Sequence, residues 1–131
     1  MTTIKSYTDI SQSKKLAEIL PIESADMRYD GVMQELGIPK VNYNGLGTPC
    51  WSLSALLGVL PQSITKYIES EMCTKTFHLN LFRSYYYCCS YSFSPSISDD
   101  DGNNTLYCTG KDNWIDACVA MIENLHELKM L

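Results

Sequence analysis

The chain has 131 residues, 45% hydrophobic and 19% charged, with net charge −5 and a pI near 4.8. That length suits a single globular domain over 1–131, able to bury roughly two-thirds of its unfolded surface in one core. Ten basic against fifteen acidic residues, with no basic cluster beyond Lys14-Lys15, argue against a tracker of nucleic-acid backbones, and no apolar run approaches the ~20 residues of a membrane span.

Taken in chain order, residues 1–6 (MTTIKS) lack the apolar segment of an export leader, so a reducing cytoplasm is the expected compartment. Thr8 or Asp9 can cap a first helix running to about Leu20. Ser13, Leu16, Ala17 and Leu20 would face inward, and Lys14, Lys15 and Glu18 would face water. Pro21 stops it, having no N–H and a ring that does not suit a helix interior. Residues 22–47 mix Gly, Pro and Asn with scattered apolar positions and read as mostly irregular, with one short strand near Lys40–Tyr43.

Thr48-Pro49 has the pattern of an N-cap followed by proline at the first helical position. It predicts a helix over Cys50–Leu60 with Leu53, Leu56, Leu57 and Leu60 on one face, ended by Pro61, and Trp51 in the core. Ser63–Met72 fits either a helical continuation or an extra strand. From about Lys75 the period becomes two: Phe77, Leu79 and Leu81 alternate with Thr76, His78 and Asn80. After a turn near Arg83-Ser84, Tyr85, Tyr87, Cys89, Tyr91 and Phe93 alternate with Tyr86, Cys88, Ser90 and Ser92. The run 99–104 is dense turn chemistry. A third strand, Thr105–Thr109, puts Leu106 and Cys108 on one face and Tyr107 on the other, then leads through Gly110 to the terminal helix.

That helix carries the clearest local pattern. Asp112 or Asn113 can cap it, and Trp114, Ala117, Cys118, Met121, Ile122, Leu125 and Leu128 share a face opposite Asp116, Glu123 and Glu127. The predicted fold class is therefore α+β: an antiparallel meander of three or four strands, packed on one face by two to three helices, the C-terminal one included.

Few residues suggest chemistry. Asp99-x-Asp101-x-Asn103 begins like a calcium loop, but Asn104 and Gly110 stand where its glycine and bidentate glutamate belong, and a solvated hairpin loop explains it better. Six cysteines without a CxxC pair read as buried free thiols rather than a disulfide or zinc framework. His78 and His126 lack a sequence partner that would make either a general base. Glu23 and Asp26 could pair as carboxylates, with His78 as a third polar anchor, in a pocket formed by the 22–47 loop and the sheet. No cofactor and no metal are implied, and no catalytic residue is assigned.

The tyrosines stand out more. Tyr85, Tyr86, Tyr87 and Tyr91 put phenols on both faces of one strand, and only one of those faces can meet the helices. Rings on an open face can stack bases or contact a protein, and without adjacent positive charge the protein contact is favoured. Rings that merely cover cross-strand neighbours are the plainer alternative.

Three blocks, Lys14 to Met27 (KKLAEILPIESADM), Pro49 to Leu57 (PCWSLSALL) and Asp112 to Cys118 (DNWIDAC) running on to Leu125-His126-Glu127, resemble a family of small uncharacterised proteins from gut Bacteroidales genomes and their prophages or mobile elements. The family pattern usually has a proline where this chain has Trp114, a ready exchange in a first helical turn. The resemblance implies a host and a mobile-element setting but no activity. The functional expectation is a non-enzymatic, cytoplasmic accessory protein that binds another protein, or itself as a homodimer, through the open tyrosine-bearing face or a sheet edge. A small-molecule binder or enzyme using the 22–47 pocket is the alternative. Nucleic-acid binding through tyrosines ranks last.

Overall fold

The computed structural model describes residues 5–29, 40–41, 47–93 and 105–131. They form an α+β fold with three α-helices and two antiparallel sheets, and the chain divides into two compact units after Val59. The calcium-loop-like run 99–103 lies outside the described residues, as does most of the 22–47 loop.

In the first unit, α1 (Ile10–Ile19) begins at Asp9. The Asp9 carboxylate accepts Gln12 N–H at 2.8 Å, and the Gln12 side chain accepts Asp9 N–H in return, a reciprocal capping box. Ser13, Leu16 and Leu20 face inward as expected, but Ala17 is exposed. A three-stranded sheet follows, with β1 (Met27–Tyr29) between β2 (Lys40–Val41) and β3 (Thr48–Cys50). Two of its strands were not expected from the sequence. Thr48-Pro49 does not open a helix: Pro49 pairs with Arg28 in β3, an edge strand where a residue without an N–H is tolerated.

The second helix, α2 (Leu53–Val59), starts three residues later than predicted, because Ser52 is its cap: Ser52 Oγ accepts Ala55 N–H at 3.2 Å. Trp51 is fully buried and donates from Nε1 to Ser24 Oγ at 3.0 Å. A closed polar cluster centres on buried Thr8. Its hydroxyl accepts Trp51 N–H and shares a hydrogen bond with Ser13, while its carbonyl accepts from the Tyr29 hydroxyl at 2.6 Å and from Cys50 Sγ at 3.4 Å. Every member has a partner, so the cluster ties α1 to β3 without leaving a buried polar group orphaned.

The second unit is a four-stranded antiparallel meander: β4 (Ser63–Ile68), β5 (Cys73–Arg83), β6 (Tyr87–Ser92) and β7 (Thr105–Lys111). The ambiguous stretch 63–72 thus supplies the fourth strand. It pairs with β5 from Ser63↔His78 to Ile68↔Cys73. The third strand does not stop before Gly110 but continues through it to Lys111. Then α3 (Trp114–Glu127) begins at Asn113, whose side chain accepts Asp116 N–H at 2.8 Å, and packs on β6 and β7. Its buried stripe is broader than predicted: Ile115 and Val119 join it, while Leu128 is exposed.

Candidate functional site

Strand pairing decides which side chains share a face, since directly opposed residues project to the same side. Tyr87, Cys89 and Tyr91 of β6 oppose Arg83, Leu81 and Leu79 of β5, and all project to the α3 side. There Tyr87 meets Trp114 edge-on at 4.8 Å, and the Arg83 guanidinium lies 4.8 Å over the Tyr87 ring. Tyr91 is fully buried and donates its hydroxyl to Pro61 O at 2.6 Å, and burial pushes its phenol well above the ordinary value of 10.0. Thr109 Oγ1 on the same face donates to Ala117 O at 2.8 Å. Tyr87 and Tyr91 therefore lie on the α3 side, Tyr91 fully buried and Tyr87 half-buried.

Cys88, Ser90 and Ser92 project to the other side, together with Phe82, Asn80 and His78 of β5. Thr65 and Tyr67 of β4 extend this side beyond the end of β6, and their partners Thr76 and Thr74 lie opposite. Within this unit α3 is the one helix among the described residues, and it lies against the opposite face. Tyr67 is 55% exposed, and Thr65, Thr74, His78, Cys108 and Gly110 are also open to solvent, whereas Cys88, Ser90 and Ser92 on β6 are buried.

The distribution of charge is the unexpected feature. The four strands contain four formally charged residues, Lys66, Lys75, Arg83 and Lys111, and register places all four on the α3 side. A solvated sheet face ordinarily carries the charges. Here that face is built of Ser, Thr, Asn, His and Cys with aromatic side chains toward two ends.

At the hairpin end, residues 84–86 form the turn, so Tyr85 is not in the strand. It projects fully into solvent, 99% exposed. Tyr86 is 56% exposed, and its side chain folds back across β7 at Gly110. A Cβ at Gly110 would stand 3.3 Å from Tyr86 Cβ and 3.5 Å from Cys88 Sγ, so a side chain there would press on Tyr86. At the other end of β6, His78, Leu79, Asn80 and Ser92 line a hollow of about 190 Å³. His78 and Ser92 are direct cross-strand partners, beside an irregularity in pairing between Tyr91 and Ser92. Ser92 is 95% buried, and its hydroxyl has no hydrogen-bond partner among the described residues.

The remaining sequence candidates are each placed within their own unit. The Asp26 carboxylate accepts Ser52 N–H at 2.9 Å and the Ser52 hydroxyl, which fixes the start of α2. Glu23 sits exposed in the 3-10 turn Ile22–Ser24, and His126 is exposed near the end of α3. A groove of about 540 Å³ lies beside Lys5, Tyr7, Asp9 and Tyr29, where Lys5 pairs with Asp9 at 3.1 Å and Tyr29 donates to Thr8 O.

All six cysteines are free thiols, but only Cys50, Cys88, Cys89 and Cys118 are buried. Cys73 and Cys108 are exposed, against expectation. The hydrogen bond with Cys118, then burial, holds the Cys89 thiol far above its ordinary value, and burial raises Cys50. Cys50 and Cys89 are therefore packing thiols held in the protonated form. Among the described residues no group of three or more His, Cys, Asp or Glu could hold a metal ion, and no helix is long and apolar enough to cross a membrane.

Compared with protein-family models, curated proteins and solved structures, the chain matches none. The reading of this face therefore rests on its own chemistry.

Proposed function

We propose that the protein is a non-enzymatic, cytoplasmic accessory protein of a phage or mobile element of gut Bacteroidales, and that it acts by binding another protein through the open face of β4–β7. One observation carries this reading: every formally charged residue of β4–β7 is on the helix side, and the opposite side has none. Charged residues are depleted at the centre of protein contacts, where desolvating them is costly, and aromatic rings are enriched. Tyr86 and Tyr67 supply such rings, and the exposed hydroxyls of Thr65 and Thr74 can be desolvated at smaller cost than lysines or carboxylates. The same lack of Lys and Arg leaves nucleic acid without phosphate partners on this face.

The test is site-specific photo-cross-linking in a Bacteroidales host, with the reactive residue at Thr76, Asn80 or Tyr86 and a control at Glu18. The reading expects one protein adduct from the face positions and none from the control. Equal yield from Glu18, or none from any face position in folded protein, would overturn it.

A further inference from the structure

We propose that the hollow at His78, Asn80 and Ser92 is a binding site for an uncharged carboxamide, of the kind an asparagine, a glutamine or an exposed peptide group presents. The inference rests on the open face being a protein contact, since the partner would supply that group.

The starting point is the Ser92 hydroxyl. Buried hydroxyls are nearly always hydrogen-bonded, and one left unmatched opposes folding. The first unit follows that rule: Thr8 and Ser13, equally buried, satisfy each other at 2.7 Å. Ser92 departs from it, and it does so where the surface opens into a hollow rather than in a sealed core. An unmatched buried hydroxyl beside a hollow is a feature of a site completed by a ligand.

Size and chemistry narrow the ligand. A volume of about 190 Å³ exceeds the ~30 Å³ share of one water and admits a side-chain amide with its methylene groups. The lining offers a hydroxyl, a carboxamide and an imidazole, which together donate and accept. A carboxamide does both in one plane: its oxygen can accept from Ser92 Oγ while its N–H donates to the Asn80 oxygen or a histidine nitrogen. An ammonium would lose hydration with no anionic side chain on this face of the strands to compensate, and a carboxylate would have the His78 imidazole alone.

The experiment titrates the full chain with propionamide, propionate and propylammonium, three probes of similar shape and different charge, following backbone amide shifts by NMR. Saturable shifts at His78, Asn80 and Ser92 with propionamide are expected, with each charged probe at least about tenfold weaker. Ser92→Ala should weaken propionamide about fivefold or more without lowering the melting temperature, and Asn80→Leu provides a second variant that keeps the side chain's size. Equal response to the three probes, shifts elsewhere, or retained binding in both variants would overturn the proposal. No partner takes part in this titration. Propionamide binding without photo-cross-linking would therefore remove the protein-contact reading and keep the hollow's chemistry, whereas cross-linking without propionamide binding would do the reverse.

Discussion

The two faces of the four-stranded sheet are made from the same strands under opposite rules. The α3 face buries Tyr91, Phe77 and Cys89 against apolar partners, gives Tyr91 and Thr109 carbonyl acceptors, and carries its cations on Lys66, Lys75, Arg83 and Lys111. Two of those cations lie over aromatic rings, Lys75 on Phe93 and Arg83 on Tyr87. The other face has no formal charge on its strands, leaves Tyr67 and Tyr86 half open, and holds one buried hydroxyl unsatisfied. Large buried side chains and their satisfied hydroxyls are concentrated on the first face.

Substitutions can break this contrast, and the largest effect should come from the helix side. Ile122 is fully buried in α3, so Ile122→Ala should cost about 2–5 kcal/mol in denaturant unfolding, through lost burial plus the cavity left behind. Next come the two buried hydroxyls, compared directly. Thr8→Val removes the acceptor of Trp51 N–H and the partner of Ser13, and should cost about 1–3 kcal/mol. Ser92→Ala removes a hydroxyl that satisfies nothing and should be neutral or stabilising by up to about 1 kcal/mol. A clear loss of stability in Ser92→Ala would erase the distinction.

Alkaline pH sharpens the contrast by a different route. Tyr91 and Cys50 have folded pKa values raised above their ordinary values by burial. Above the unfolded values, the unfolded chain releases these protons while the folded chain retains them, so stability is complete below pH 9 and falls as pH rises through 9 to 11. Melting curves across that range should show the decline, and Tyr91→Phe should flatten it at a lower starting stability, because its bond to Pro61 is lost. Smaller still is Gly110→Ala, which should displace the Tyr86 ring and shift its NMR signals while costing about 1 kcal/mol or less. Thr76→Lys on the open face should change stability by no more than about 0.5 kcal/mol while lowering cross-linking from a neighbouring position.

Much of this architecture was legible in the sequence. Periodicity placed α1, α3 and the three strands of the meander, because each buries one face and repeats accordingly. Thr48-Pro49 misled because proline after threonine suits both a helix start and an edge strand, and only pairing with Arg28 separates them. The tyrosines were visible as a run, but their sides were not: Tyr87 and Tyr91 took the α3 side, Tyr91 in the core, and Tyr85 left the strand, according to where the hairpin turned. Neither the neutral face nor the Ser92 hollow could be read in advance. Both depend on register between strands, Ser63↔His78↔Ser92 above all, and one strand's sequence carries no information about its neighbour's offset.

The most direct measurement is the photo-cross-linking yield from Asn80 compared with Glu18 in the host, with the folded state of both proteins verified by melting. The account predicts a single protein adduct from Asn80, reduced when Thr76→Lys places a charge on the face. Equal yields from the two positions, or an Asn80 adduct untouched by that lysine, would contradict the claim that the neutral face is the protein's contact surface.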